Sequence, residues 1–255
     1  MKKLFTILSL GALAMGTLPV QAQFGPSGGG STSPQFAGPM QKIFGDNQAF
    51  SAKMQFETVD SSGKTITVPG KFCMDTGKTR FEVNMADVKG GRMPANAGAQ
   101  LKAMGMDSMI TIGRPDTSMT YLIYPGTQSY LAKATDKNTT TPNDYKSTVT
   151  KLGEETIDGH PCIKNKVVVT DKDGTPHEST VWNATDLKQF PIKIVTSEDG
   201  NSTTMSFTGI TLDKPAASNF EAPSGYTKYD SIQAMMQQMM MKRMGGMGGP
   251  PQAPQ

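Results

Sequence analysis

Short stretches of alternating apolar and polar residues, separated by turn-forming residues, run along most of this 255-residue chain. In the first stretch Phe50, Ala52, Met54 and Phe56 alternate with polar residues, which is the period of a half-buried β-strand. About eleven such segments occur, with Gly, Asp and Pro between them and few helical patterns. The pattern predicts a mainly β fold: a single antiparallel curved sheet in which sequence neighbours pair, as a barrel, half barrel or sandwich.

Two helices are expected to cover this sheet. Residues 95–104 are rich in alanine, contain Leu101 and precede Gly105, which predicts a short helix inserted between two strands. Near the C-terminus, at about 230–244, apolar residues recur at helical spacing; they are Ile232, Met235, Met236, Met239 and Met240. That spacing predicts an amphipathic helix with one apolar face against the sheet.

Both ends of the chain differ in composition from the middle. Residues 1–22 begin with Lys2 and Lys3, continue as an apolar run and end with Ala22, the pattern of a cleavable signal peptide. Residues 23–39 and 245–255 are rich in Gly, Ser and Pro, which predicts a disordered leader and a disordered tail around one domain at 40–244. We therefore expect an exported protein, periplasmic or extracellular and soluble, without a transmembrane anchor. No cysteine stands near the cut to carry a lipid.

Charge and cysteine content limit the classes of partner. Without Lys2 and Lys3 the chain has 23 basic and 22 acidic residues, so it offers no basic surface typical of nucleic-acid binding. The two cysteines, Cys73 and Cys162, fall in separate predicted strands. In an oxidising compartment they are expected to form a disulfide, the alternative being two buried free thiols.

No arrangement of residues typical of catalysis occurs in the sequence. The chain has two histidines, His160 and His177, and each lies beside a predicted turn. Nucleophile elbows, zinc-protease motifs and phosphate-binding glycine loops are absent from the sequence. We expect a protein that is not an enzyme and that needs no cofactor or resident metal.

Methionine is unusually frequent, with 19 residues concentrated at 93–109 and 235–247. Three interpretations remain open. Thioethers can bind copper(I), they can form an adaptable apolar surface for a ligand or partner, or they can simply fill the face of a helix.

Several short motifs resemble a known family. They are Gly113-Arg114-Pro115-Asp116, Tyr121-Leu122-Ile123-Tyr124-Pro125-Gly126, Asp158-Gly159-His160-Pro161-Cys162, Trp182-Asn183-Ala184-Thr185-Asp186-Leu187 and Phe220-Glu221-Ala222-Pro223-Ser224-Gly225-Tyr226. Together they look like exported bacterial proteins of the domain-of-unknown-function family numbered 4412. That family is similar to the lipoprotein-carrier superfamily (LolA/LolB-like), whose fold is an antiparallel half barrel curled around helices.

The resemblance implies a concave apolar surface that holds acyl chains, and no catalysis. We therefore expect the protein to bind a lipid or another hydrophobic molecule, under a cover formed by Leu101, Met104, Met235, Met236, Met239 and Met240. The alternatives are an envelope protein that acts through protein contacts and, less favoured, copper handling by methionine.

Overall fold

The computed structural model describes residues 39–59, 63–90, 96–135, 145–198 and 201–245. Within these ranges thirteen strands form one mixed, mostly antiparallel sheet with three short helices, which confirms the predicted mainly β fold. The predicted signal peptide, almost all of the predicted leader and most of the predicted tail lie outside the described residues.

The helices are α1 (Pro39–Ile43), α2 (Ala97–Ala103) and α3 (Ile232–Gly245). The strands are β1 (Ala49–Val59), β2 (Thr65–Asp75), β3 (Lys78–Asn84), β4 (Lys89–Gly90), β5 (Ser108–Arg114), β6 (Met119–Tyr124), β7 (Ser129–Ala134), β8 (Lys146–Ile157), β9 (His160–Thr170), β10 (Pro176–Ala184), β11 (Phe190–Glu198), β12 (Asn201–Thr211) and β13 (Thr227–Tyr229).

The sheet consists of two meanders joined side by side. The first meander contains β1 to β7, and the second contains β8 to β12. Its strand order is β13-β7-β6-β5-β3-β2-β1-β12-β11-β10-β9-β8, with β4 paired to β2. Most neighbours in this order are consecutive in the chain, as the short turns predict. The junction is the antiparallel pair of β1 and β12, which runs from Ser51↔Thr211 to Val59↔Ser202.

Two strands were not predicted from the sequence. β4 has two residues and β13 has three, so neither is long enough to show a two-residue period. β13 also pairs with β7 in parallel, and because parallel strands are not joined by a short turn, no local sequence pattern predicts this pairing.

One face of the sheet, here called the inner face, carries the larger core. Phe72 and Met74 on β2 are buried in it, whereas Cys73 between them points to the other side, as the pleat requires. Seven strands that are neighbours in the sheet share this core: β3, β2, β1, β12, β11, β10 and β9. Trp182 and Val181 on β10 are both buried, which agrees with the central position expected for their strand.

The opposite face, here called the outer face, has a smaller core on the first meander. It consists of Cys73, Ile112 and Ile123 from the sheet, together with Phe220 from a single turn of 3₁₀-helix at Ala217–Phe220. The C-terminal segment 216–230 therefore crosses the outer face before α3 begins.

The inserted helix α2 ends as its sequence predicts. Gly105 has a φ of 70°, and the amides of Gly105 and Met106 bond to the carbonyls of Lys102 and Leu101, which is a Schellman ending. A Cβ at Gly105 would lie 2.9 Å from the carbonyl oxygen of Gly126, so the bare backbone is also needed for close packing against the turn after β6.

The C-terminal helix buries a narrower stripe than its periodicity predicts. Met235 is fully buried and Met239 is half-buried, but Met236 is 39% exposed and Met240 is 67% exposed. The expectation that all four methionines face the protein is therefore wrong for Met236 and Met240. The hydroxyl of Ser231 accepts from the amide of Ala234 and caps the helix start.

Candidate functional site

Five phenylalanines meet on the inner face around Phe44. Its ring centroid lies 5.0 Å from that of Phe50 on β1, 5.7 Å from that of Phe190 on β11 and 5.7 Å from that of Phe207 on β12. Phe72 on β2 completes the group at 5.6 Å from Phe50. These are stacked and edge-to-face distances, and all five rings are at most 2% exposed.

Phe44 is the only member of this group that does not belong to the sheet. It follows α1, a helix of five residues, and it enters the inner face from the N-terminal segment 39–48. The other four rings belong to the strands. One side chain from a terminal segment thus fills the centre of a large apolar surface.

Neutral hydrogen bonds hold the N-terminal segment to two turns, the one between β2 and β3 and the one between β10 and β11. Asn47 Nδ2 donates to the carbonyl oxygen of Lys188 at 3.1 Å, and the carbonyl of Gln48 accepts from the amide of Thr76 at 2.8 Å. Gln41 Nε2 makes a long contact of 3.4 Å to the carbonyl of Gly77. No ion pair joins residues 39–48 to the described part of the sheet.

A second feature of the inner face is a buried hydroxyl. Thr111 on β5 lies between Phe81 and Leu122 in the strand register. Its Oγ1 has no hydrogen-bond partner among the described residues. A buried hydroxyl without a partner is uncommon and costs free energy.

The outer face carries an open groove of about 440 Å³ between the first meander and the C-terminal segment. The volume falls within the range of ligand pockets. Apolar and charged side chains share its lining, which includes Arg80, Ile110, Ile123, Glu221, Pro223 and Tyr226.

Two arginines bind the C-terminal segment to the rim of this groove. Arg80 Nη1 donates to the carbonyl of Asn219 at 3.1 Å, and Arg114 Nη1 donates to the carbonyl of Phe220 at 3.1 Å. Arg114 also pairs with Asp116 through two bonds of 2.8 and 2.9 Å and with Glu221 at 2.8 Å. The guanidinium of Arg114 holds the pKa of Asp116 below its usual range.

The residues predicted as a cavity cover do not line the outer groove. Leu101 and Met104 are half-buried at the end of α2, and the four methionines lie on α3, two inward and two exposed. Their role as a cover over a ligand stays a prediction.

The predicted disulfide between Cys73 and Cys162 is wrong. Both thiols are free and buried, and they belong to different apolar clusters, Cys73 on the outer face and Cys162 in the inner core. β2 and β9 are also separated in the sheet by β1, β12, β11 and β10. Burial raises the pKa of the Cys73 thiol to about 11, so this thiol is protonated and unreactive at neutral pH.

Cys162, His160 and Asp186 lie close together but not in a catalytic geometry. His160 Nδ1 is 2.7 Å from Asp186 Oδ2, while Cys162 Sγ donates to the backbone carbonyl of His160 and not to its ring. Burial also raises the pKa of the Cys162 thiol. This arrangement orients the imidazole but does not activate the sulfur.

Metal ligands of the usual types do not converge in the part of the chain that the structure describes. In the described ranges no group of three or more His, Cys, Asp or Glu side chains is placed to hold a metal ion. A separate finding is that none of the helices among those residues has the length and apolarity to cross a membrane.

Sequence reasoning missed how both sites are assembled, although it named some of their residues. Phe44 has no periodic neighbours, because α1 is too short to show a helical repeat. Arg114 was singled out within the Arg-Pro-Asp motif and Phe220 within the Phe-x-x-Pro-x-Gly-Tyr motif, but the contact between them spans 106 residues. The proximity of two motifs so far apart is not visible in one sequence.

Comparison with known folds finds loosely similar structures. A LolA superfamily protein from Nitrosomonas europaea is 9% identical with a TM-score of 0.37, and the alignment covers 71% of this chain and 93% of that one. The lipoprotein LppX from Mycobacterium tuberculosis is 12% identical with a TM-score of 0.38, covering 68% and 93%. LprF from Mycobacterium bovis is 13% identical with a TM-score of 0.37, covering 71% and 99%. Similarity at this level carries no argument about function.

Sequence comparison gives a clearer result. No curated protein matches the chain significantly. A family profile described as "Domain of unknown function (DUF4412)" matches residues 50–190, more than half of the 255 residues and the region from β1 to the start of β11. The chain therefore belongs to the DUF4412 family, as its motifs had indicated.

Proposed function

We propose that this protein is exported and binds an apolar molecule, such as the acyl chain of a lipid, on the inner face of its sheet without catalysing a reaction. In the absence of ligand, Phe44 occupies part of the binding surface. The observation that supports this most directly is the burial of Phe44 among rings from three strands, although its own segment lies outside the sheet.

The open form of the sheet is the physical reason that such a site exists. β8 and β13 end the strand order and do not pair with each other, so the inner face must be covered by segments outside the sheet. The cover at Phe44 consists of a five-residue helix and its connection to β1. A short terminal segment can leave the surface without breaking any strand pair.

The energetics favour exchange between Phe44 and a ligand. An acyl chain that takes the place of the phenylalanine ring restores the apolar contact of that ring. Binding then has to compensate for the lost hydrogen bonds of the N-terminal segment and for the packing of Met40 and Ile43 against the same core. A neutral hydrogen bond contributes about 0.5–1.5 kcal/mol net. Because the site must open before the ligand binds, the apparent affinity equals the affinity of the open site multiplied by the fraction of time for which the site is open.

Thr111 provides a polar contact for the same ligand. Its unpartnered hydroxyl lies on the inner face beside Leu122, where the head of an amphipathic molecule could accept its hydrogen. Thr111→Val keeps the shape of the side chain and removes only this donor. We expect the variant to fold and to bind an amphipathic ligand more weakly.

The test is binding of a fluorescent fatty acid, dansyl-undecanoic acid, to the exported chain and to variants. Phe44→Ala should bind the probe at least about fivefold more tightly than the wild type, because the competing ring is gone. Phe220→Ala is the matched control, since it removes an equally buried ring from the outer face. Its affinity for the probe should not change.

The outer groove is a second location for the same function, and its volume of about 440 Å³ is the reason to test it. Ala222→Trp places a large side chain in the groove lining. Loss of probe binding in Ala222→Trp, with no change in Phe44→Ala, would place the ligand on the outer face. No binding to the wild type or to Phe44→Ala would refute the proposal and favour a protein that acts through protein contacts.

A further inference from the structure

One end of the sheet is a long strand that is exposed on both of its faces. β8 has twelve residues and comes last in the strand order. Ten of the twelve are exposed, including Val149 at 59% and Leu152 at 53%. A strand of this length with so little burial gains almost nothing from packing against its own protein.

The outward edge of β8 offers unused backbone hydrogen bonds. On its inward side the strand pairs with β9 from Lys146↔Thr170 to Ile157↔His160, with one β-bulge between Lys151 and Gly153. Within the described ranges no strand pairs with its other side. Alternate N–H and C=O groups along about twelve residues are therefore available to another strand.

The opposite end of the sheet lacks this property. β13 is three residues long and leads within three residues into α3, so its free edge is too short to accept a partner strand. The difference singles out β8 as the one long edge in the described part of the sheet.

Charges along β8 are segregated by sign. The first half carries Lys146 and Lys151, and the second half carries Glu154 and Glu155. When two identical strands pair antiparallel, the first half of one lies beside the second half of the other. With the axis near the middle of the strand, Lys151 of each copy lies diagonal to Glu154 of the other and Lys146 diagonal to Glu155, within reach of these long side chains, which stabilises the pair.

We propose that two copies of this chain associate through their β8 strands, antiparallel and around a two-fold axis near the middle of the strand. The axis lies close to Lys151 and Leu152, so the exposed Val149 and Leu152 of the two copies are brought near each other. One sheet then runs through both molecules. The proposal does not depend on ligand binding at the inner face.

A purely protective edge would have a different charge pattern. Edge strands that avoid pairing usually carry scattered lysines, a proline or a β-bulge. β8 has no proline and balances two lysines with two glutamates, and its one bulge lies between Lys151 and Gly153, so residues 146–151 and 153–157 each keep a regular edge. Lys151 and Glu154 already form an exposed ion pair within the strand. Such a pair exchanges readily for the equivalent pair with a second copy, because exposed ion pairs are weak.

Sedimentation equilibrium of the exported chain tests the association, and charge variants test where it occurs. Lys146→Glu with Lys151→Glu makes the strand acidic, and Glu154→Lys makes it more basic. Glu155 is left unchanged because it accepts a hydrogen bond from Trp182 Nε1. Each variant alone should dimerise at least about tenfold more weakly, because like charges now face each other across the two-fold axis.

Mixing the two variants provides the sharpest result. An acidic strand and a basic strand are complementary, so the mixture should form a heterodimer that native mass spectrometry resolves by mass. Lys53→Glu with Lys71→Glu is the matched control: these exposed residues face each other on the interior strands β1 and β2, and this variant should dimerise like the wild type.

Two outcomes would overturn the proposal. A wild-type chain that stays monomeric up to about 1 mM, far weaker than the affinities of specific complexes, leaves β8 to an extended segment of a different protein or to solvent. A dimer that is equally stable in both charge variants forms through another surface.

Discussion

The two faces of the sheet are covered by segments from opposite ends of the chain, and these covers are attached in different ways. The N-terminal segment places Phe44 on the inner face and is held there by neutral amide contacts such as that of Asn47 with Lys188. The C-terminal segment places Phe220 on the outer face and is held by the guanidinium groups of Arg80 and Arg114.

The C-terminal segment has two further attachments among the described residues. β13 adds a strand to the sheet beside β7, and the ammonium of Lys78 lies 5.6 Å from the centre of the Phe220 ring. Hydrogen bonds to charged groups contribute about 1.5–3 kcal/mol, roughly twice the value of neutral ones. Although the rings of Phe44 and Phe220 are equally buried, we therefore expect the N-terminal segment to detach from the sheet at a lower free-energy cost than the C-terminal segment.

Removal of each ring gives the largest expected effect. Phe220→Ala should lower the free energy of unfolding by about 3–5 kcal/mol, because a fixed cover leaves a cavity behind. Phe44→Ala should lower the free energy of unfolding by at least about 1 kcal/mol less than Phe220→Ala does. The reason is that a weakly held segment can detach locally, and this limits the loss to the free energy that keeps residues 39–48 on the sheet. Urea denaturation of both variants measures the difference. Equal costs would show that the two covers are equally fixed.

Loosening the N-terminal anchor should have an intermediate effect. Asn47→Ala removes the hydrogen bond to the carbonyl of Lys188 and should favour the open state by about 1 kcal/mol. Amide exchange in residues 39–48 should then be about fivefold faster, while exchange in residues 217–229 stays unchanged. Faster exchange in both segments would mean that the covers open together.

The smallest expected effect is a pH dependence that arises from the ion pair between Arg114, which holds the C-terminal cover, and Asp116. Arg114 lowers the pKa of Asp116 in the folded protein below the unfolded value of about 3.9. The ionised carboxylate therefore stabilises the fold above about pH 4, and this contribution is lost as the pH falls through the lowered pKa. Because Asp116 is 48% exposed, the loss should stay below about 1 kcal/mol.

Arg114→Met isolates this contribution. The variant should have a lower free energy of unfolding than the wild type at pH 7. This gap should narrow on acidification to pH 3, because only the wild type has the ion pair of Arg114 with Asp116 to lose. Denaturation curves at both pH values measure the gap. A gap that is constant or widens would show that Arg114 acts through its backbone contacts alone.

The strands were predictable because their cause is local. Alternation in β1 and turns such as Asp158-Gly159 act over a few residues, and all eleven predicted strands appear in the structure. The Met-rich helix shows where local reasoning fails. Its periodicity indicates which residues are apolar, but only the surface beside α3 decides that Met235 is buried and Met240 is exposed.

The parts of the sites that escaped prediction depend on distant pairs. Arg80 contacts Asn219, which lies 139 residues later in the chain. Cys73 points to the outer face, whereas its neighbour Phe72 and the distant Cys162 both belong to the inner core. Compartment and cysteine number favoured a disulfide, but the pleat of β2 sends the thiol to the wrong face.

The junction of β1 with β12 has a consequence for biogenesis. β1 finds β2 after a turn of a few residues, but its other edge has to wait for β12, about 150 residues later in the chain. A chain that is made from its N-terminus carries a central strand with one unpaired edge for most of its synthesis, and this strand contains Phe50, Met54 and Phe56. During that interval the open edge of β1 is available for pairing with strands other than its native partner.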